Sequence, residues 1–162
     1  MRYKYISYFT LKIKKNKMSL LFIFIKEDCP ACHNFITNIL DKINLLFTNN
    51  KIKNKVYICT REISEELGLK LFVGFYPCLA IFQEKYIQKY DEKNYSDLKN
   101  IKPFASEIKE IDINNIKTYR IVHNLETATK LFNIEEIKKF LIDNDLLPKQ
   151  KILKSFHYFK KI

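Results

Sequence analysis

The sequence predicts an α/β domain, a central mixed sheet flanked by helices with added elements towards the C-terminus. Three observations carry that prediction. Ser19–Ile25 is apolar at every position after the first, the pattern of a strand covered on both faces rather than one that alternates. Phe35, Ile36, Ile39, Leu40, Ile43, Leu46 and Phe47 then recur at the spacing of one helix face. Pro77 opens a further apolar run, Cys78–Phe82, and the first residue of a strand is where proline is tolerated.

Taken in order, the first strand stops at the charged residues Lys26-Glu27-Asp28. Pro30 suits the first turn of a helix, where its missing N–H costs nothing, and the helix is expected to reach about Phe47 before Thr48-Asn49-Asn50-Lys51 breaks it. Val56–Cys59 reads as a second strand. Ile63–Leu69 reads as a short helix, with Ser64, Glu65 and Glu66 near its start and Gly68 near its end. After the Pro77 strand, Tyr86–Tyr90 is expected to pair back on residues 78–83 as a hairpin around Gln83-Glu84-Lys85. A short helix near Ser96–Ile101, stopped by Pro103, and an added strand over Tyr119–His123 come next. Asn133 caps a last helix from Ile134 to about Leu146, with Glu135 and Glu136 suited to its positive end and Pro148 terminating it.

A chain of 162 residues can bury one substantial core. Its 47% hydrophobic content and 13 phenylalanines belong to a globular protein rather than a disordered one. The net charge of +11 is confined to the ends: residues 1–17 carry six basic residues and no acid, residues 149–162 carry five and no acid, and residues 18–148 carry 18 of each sign. We therefore expect a domain over 18–148, between a basic N-terminal extension, 1–17, and a basic tail, 149–162. Such tails attract polyanions with a force that salt weakens. Yet only Arg2, Arg61 and Arg120 are arginine, so lysine reads as the default surface residue, and this argues against a nucleic-acid partner. No apolar run approaches the roughly 20 residues of a membrane span. The basic start followed by Ser19–Ile25 lacks the small-residue cleavage site of a secretory signal. The four cysteines do not form the framework of a disulfide-stapled scaffold, and a reducing compartment, the cytoplasm, is the expected location.

Two of those cysteines form Cys29-Pro30-Ala31-Cys32, directly behind the first strand. A CxxC pair there suits thiol–disulfide exchange. Cys29 would stand at a helix N-terminus, where negative charge is stabilised, with Lys26 adding a positive neighbour and Glu27 and Asp28 opposing it. Other readings of the same residues remain open. Cys29, Cys32 and His33 also spell the signature of covalent haem attachment. Cys29, Cys32, Cys59 and Cys78 could supply four thiolates to zinc, although the second pair lacks close spacing. The two motif cysteines could also be inert core residues. His33 otherwise reads as an exposed residue of the first helical turn that tunes the pair, and His123 and His157 read as incidental.

The segment Phe24-Ile25-Lys26-Glu27-Asp28-Cys29-Pro30-Ala31-Cys32 resembles the active-site segment of glutaredoxins, within the thioredoxin-like superfamily. The likeness covers roughly residues 18–100 and includes Lys26, the helix after the motif and the proline that opens a strand at Pro77. The resemblance implies a thioredoxin-like fold and a protein disulfide oxidoreductase, with Cys29 as nucleophile and Cys32 as resolving thiol, supported by Lys26, Pro30 and His33. It implies that Pro77 is cis and lies beside the CxxC, and that Tyr76 and Pro77 shape the substrate groove. Glutaredoxins have, after the proline strand, Gly-Gly and an Asp that hold glutathione; here Lys93–Leu98 lacks the glycines, leaving Ser96 and Asp97 as candidate binding residues. The resemblance implies no resident cofactor or metal; glutathione or a reductase would serve as electron donor to a dithiol that acts on protein disulfides. The opposed expectation is a non-catalytic thioredoxin-fold module whose basic tails dock a partner or nucleic acid.

Overall fold

The computed structural model describes residues 19–60, 71–83 and 101–149. Strand β1, Ser19–Ile25, runs into helix α1, Pro30–Phe35, which passes through a π-helical segment, Ile36–Leu40, into α2, Asp41–Asn49. Then come β2, Val56–Thr60, β3, Leu71–Val73, β4, Cys78–Gln83, and the two-residue β5, Lys102–Pro103. The hairpin strands β6, Ser106–Ile113, and β7, Ile116–His123, precede the short helix α3, Thr127–Lys130, and the final helix α4, Ile134–Asp143. No helix among the described residues is long and apolar enough to cross a membrane. The expected helix over Ile63–Leu69, the strand Tyr86–Tyr90 and the helix near Ser96–Ile101 (its last residue apart) lie outside the described residues.

The main sheet is mixed, in the order β2-β1-β4-β5. β1 pairs in parallel with β2, Leu21 opposite Val56 through Ile25 opposite Thr60, and antiparallel with β4, Phe24 opposite Cys78 through Ser19 opposite Gln83. This central position explains the unbroken apolar run, because both faces of β1 are covered. Leu21, Ile23 and Ile25 pack with Phe35, Ile39, Ile43 and Phe47 of the helical segment and with Ile137 and Leu141 of α4. On the opposite face Leu20, Phe22 and Phe24 pack with Phe82 and Ile121. There Phe22 meets Phe82 edge-on at 4.9 Å between ring centroids. The described helices thus cover one face. The other is covered by a second, three-stranded sheet in the order β3-β7-β6, with Val73, Ile108 and Tyr119 lying against that aromatic layer.

The helix after the motif extends beyond the expected Phe47, to Asn49, and contains a π turn that periodicity does not announce. Phe35, Ile39, Ile43 and Phe47 step by four, whereas an α-helix turns every 3.6 residues or so. Such a row would drift round the helix, and one wider turn brings Ile39 and Leu40 back onto the core. At the end of α2, Lys51 takes φ 56° while the Lys51 and Ile52 amides donate to Thr48 and Phe47. The same closure ends α4. Asp145 has φ 60°, its amide donates to Ile142, and that of Leu146 donates to Leu141. This Schellman arrangement, rather than Pro148, stops the helix at Asp143, short of the expected Leu146, and buries Leu146 and Leu147. Its start is as expected, with the Asn133 side chain accepting from the amides of Glu135 and Glu136. The expected strand Tyr119–His123 is the second half of β7. It is joined to β6 through Asn114-Asn115, both with positive φ, the requirement of a type I′ turn.

Candidate functional site

Cys29 is the N-cap of α1, in extended conformation (φ −126°, ψ 104°), with Pro30 at the first helical position. A tight turn precedes it, the Cys29 amide donating to the Glu27 carbonyl at 2.9 Å. A side-chain acceptor at an N-cap reaches the free amides of the first turn, and here the Cys29 Sγ accepts the Cys32 N–H at 3.2 Å. The first sulfur is therefore held by the backbone of the second motif cysteine. Pro30 and His33 are exposed on the same turn.

The other wall of the site is the loop 74–77. Because Phe24 pairs with Cys78, the residues just before β4 stand at the end of β1, where the chain leaves for the CxxC. The Tyr76–Pro77 peptide is cis and Pro77 is buried. The Cys29 thiol donates to the Tyr76 carbonyl at 3.7 Å, and the Lys26 ammonium lies 5.8 Å from the centroid of the Tyr76 ring, within cation–π range. Lys26, Cys29, Cys32, Tyr76 and Pro77 are thus brought together. Ser96 and Asp97 lie outside the described residues. The strand that edges β4 is β5, pairing Ala80 with Pro103 and Ile81 with Lys102. Beyond β5 the chain turns through Phe104-Ala105-Ser106, where Ala105 adopts φ 48°.

The two motif cysteines are unequal. Cys29 retains 8% exposure and Cys32 only 1%. Burial pushes the Cys32 thiol up to about 11, assisted by its contact with Cys29 and opposed by the backbone and charge of Lys26. All four cysteines are free thiols. Cys59 and Cys78 belong to the aromatic layer on the far side of the sheet. Both are pushed up by desolvation, Cys59 to about 12, the state of inert core thiols. The main sheet separates them from Cys29 and Cys32, so a four-thiolate zinc site cannot assemble from these residues. No group of three or more His, Cys, Asp or Glu among the described residues could hold a metal ion. Covalent haem attachment would need both motif sulfurs at the surface, and Cys32 is covered.

Three residues at the site are not signalled by the motif. Gly74 donates its amide to the Ile121 carbonyl of β7 at 2.8 Å. Phe75 meets the ring of His123 edge-on at 6.1 Å, so His123 is not incidental to the site's surroundings. The available signal was Gly74 itself, one of two glycines in the chain. Comparisons with protein-family models, with curated proteins and with solved structures found no match to this chain.

Proposed function

We propose that the protein is a thiol–disulfide oxidoreductase of thioredoxin-like architecture, with Cys29 as nucleophile and Cys32 as resolving thiol. The observation that carries this reading is the Cys29 sulfur seated at the N-cap of α1, accepting the Cys32 amide and facing the Tyr76–Pro77 loop. The strand order, with β1 between parallel β2 and antiparallel β4, is compatible with that architecture.

In the reaction, the Cys29 thiolate attacks one sulfur of a substrate disulfide. A Cys29–substrate S–S bond forms, the substrate S–S bond breaks, and the departing sulfur takes a proton from solvent. Cys32 then attacks the Cys29 sulfur and passes its proton to the second substrate sulfur as that leaves. The products are a Cys29–Cys32 disulfide and two substrate thiols, two electrons having moved to the substrate. A thiol reductant such as glutathione, or a reductase, returns the pair to the dithiol.

The division of labour comes from burial. Cys32, held as a thiol, does not compete for substrate and attacks only the neighbouring sulfur. Lys26, Tyr76 and Pro77 would line the path of the substrate chain. The deciding assay is reduction of insulin disulfides and of a mixed glutathione disulfide by the wild type and by Cys29→Ser. Activity in the wild type that is lost in Cys29→Ser supports the reading; equal activity, or none in either protein, overturns it.

A further inference from the structure

The wall opposite Cys29 is not self-supporting. Loop 74–77 leads from β3 to β4; Tyr76 packs against the core, and two further fixed points lie on β7 of the second sheet. The Gly74 amide donates to the Ile121 carbonyl at 2.8 Å, continuing the β3–β7 ladder by one step beyond Val73 opposite Ile121. Backbone approach is close enough there that a Cβ on Gly74 would stand 2.7 Å from the Ile121 carbonyl oxygen and 3.1 Å from the Arg120 Cδ. The Arg120 side chain can swing away; the carbonyl cannot, because β7 is held between β3 and β6. One residue on, Phe75 is braced edge-on by the His123 ring. The next residue is Tyr76, whose carbonyl accepts the Cys29 thiol.

From this chain of contacts we infer that the β6–β7 hairpin sets the reactivity of Cys29 by fixing the Tyr76 carbonyl beside its sulfur, with Gly74 and His123 as positioning residues. The consequence rests on the exchange reading above. A carbonyl oxygen accepts a hydrogen bond from a thiol and repels a thiolate, so its distance from Cys29 decides how readily the reactive form appears. Gly74 is required because any side chain there would push the loop off β7 and carry Tyr76 with it. His123 acts through the ring that meets Phe75.

The test is the rate of iodoacetamide alkylation of reduced protein at pH 7, read at Cys29 by peptide mass spectrometry. This is paired with the Cys29–Cys32 disulfide fraction in glutathione redox buffers and with thermal unfolding. Gly74→Ala and His123→Ala are expected to alkylate several-fold faster than wild type and to be less oxidised at a given buffer ratio. His123→Phe, which keeps the ring, is expected to restore the wild-type values. Folded Gly74→Ala and His123→Ala proteins with wild-type alkylation and oxidation overturn the inference, as does a His123→Phe variant no closer to wild type than His123→Ala. If Gly74→Ala does not fold, the two His123 variants decide. Alkylation needs no disulfide substrate. A wild type without exchange activity but with these variant effects would therefore sink the proposed function and leave the positioning role standing.

Discussion

The thiol of Cys29 points at the backbone carbonyl of Tyr76, 3.7 Å away and 47 residues on in the chain. That contact joins the two segments that make the site, the turn after β1 and the loop before β4. It joins a side chain to a backbone atom, so no substitution of the Tyr76 side chain can remove the acceptor itself. Tyr76→Ala is expected to lose the cation–π contact of Lys26, worth about 0.5–1 kcal/mol, together with the ring's packing against the core on both faces of the sheet, while leaving the alkylation rate of Cys29 near that of the wild type. Chemical denaturation and iodoacetamide kinetics on the same variant check both halves.

The resolving role proposed for Cys32 has its own signature. Treated with oxidised glutathione, Cys32→Ser should retain the first step and stop there, accumulating a mixed disulfide between Cys29 and one glutathione, with the other glutathione released as thiol, that intact-mass spectrometry detects. The wild type under the same conditions should accumulate the intramolecular disulfide instead.

The buried thiols should lower stability at alkaline pH. Cys32 is pushed up to about 11 and Cys59 to about 12, each from 9.0, mainly by burial. The folded state therefore holds these protons more tightly than the unfolded chain does. The associated stability is complete below pH 9 and is lost as pH rises from there through the folded values, by at most about 1.4 kcal/mol per pH unit for each thiol. Melting temperature should fall steadily between pH 9 and pH 11, and Cys59→Ala should reduce the steepness of that fall.

The aromatic layer under the second sheet should contribute strongly to folding stability. Phe22 is fully buried, with rings of Phe24, Phe82 and Tyr57 around it. Phe22→Ala should cost about 3–5 kcal/mol in urea unfolding, whereas Leu45→Ala, at an exposed position of α2, should change little.

Helix ends offer the opposite sign. Lys51 and Asp145 occupy left-handed conformations that glycine adopts without strain. Lys51→Gly and Asp145→Gly should each stabilise by up to about 1 kcal/mol, and Asn133→Ala should destabilise by about 1 kcal/mol through loss of the α4 cap. Thermal unfolding of the three variants tests all of these.

Local signals explain what was legible beforehand. Ser19–Ile25 declared a two-sided strand by its unbroken apolar run, and Asn133 with Glu135 and Glu136 marked a helix start, because both effects act within one element. Cys29, Lys26 and Pro77 were readable as a site because motif and proline lie at the ends of such elements. The second sheet was mostly hidden. β6 reads Ser-Glu-Ile-Lys-Glu-Ile-Asp-Ile, an alternation diluted by charge, and its turn uses Asn-Asn in place of the more telling Asn-Gly. The π turn was invisible because the drift of so short a row stays close to the width of one ordinary α-helical face. Gly74 and His123 meet Ile121 and Phe75, partners almost 50 residues away in the chain, which no spacing rule reaches.

Four thiols in one chain could in principle be linked in three ways. The main sheet works as a partition that leaves a single linkage within reach. Cys59 and Cys78 flank Phe24 on either side, so their backbones stand about two strand spacings, roughly 10 Å, apart, too far for a disulfide bridge. Neither can meet Cys29 or Cys32 without crossing the sheet. Oxidation of the folded protein should thus yield one product and no scrambled isomers, since the two further thiols in its core have no cysteine within reach.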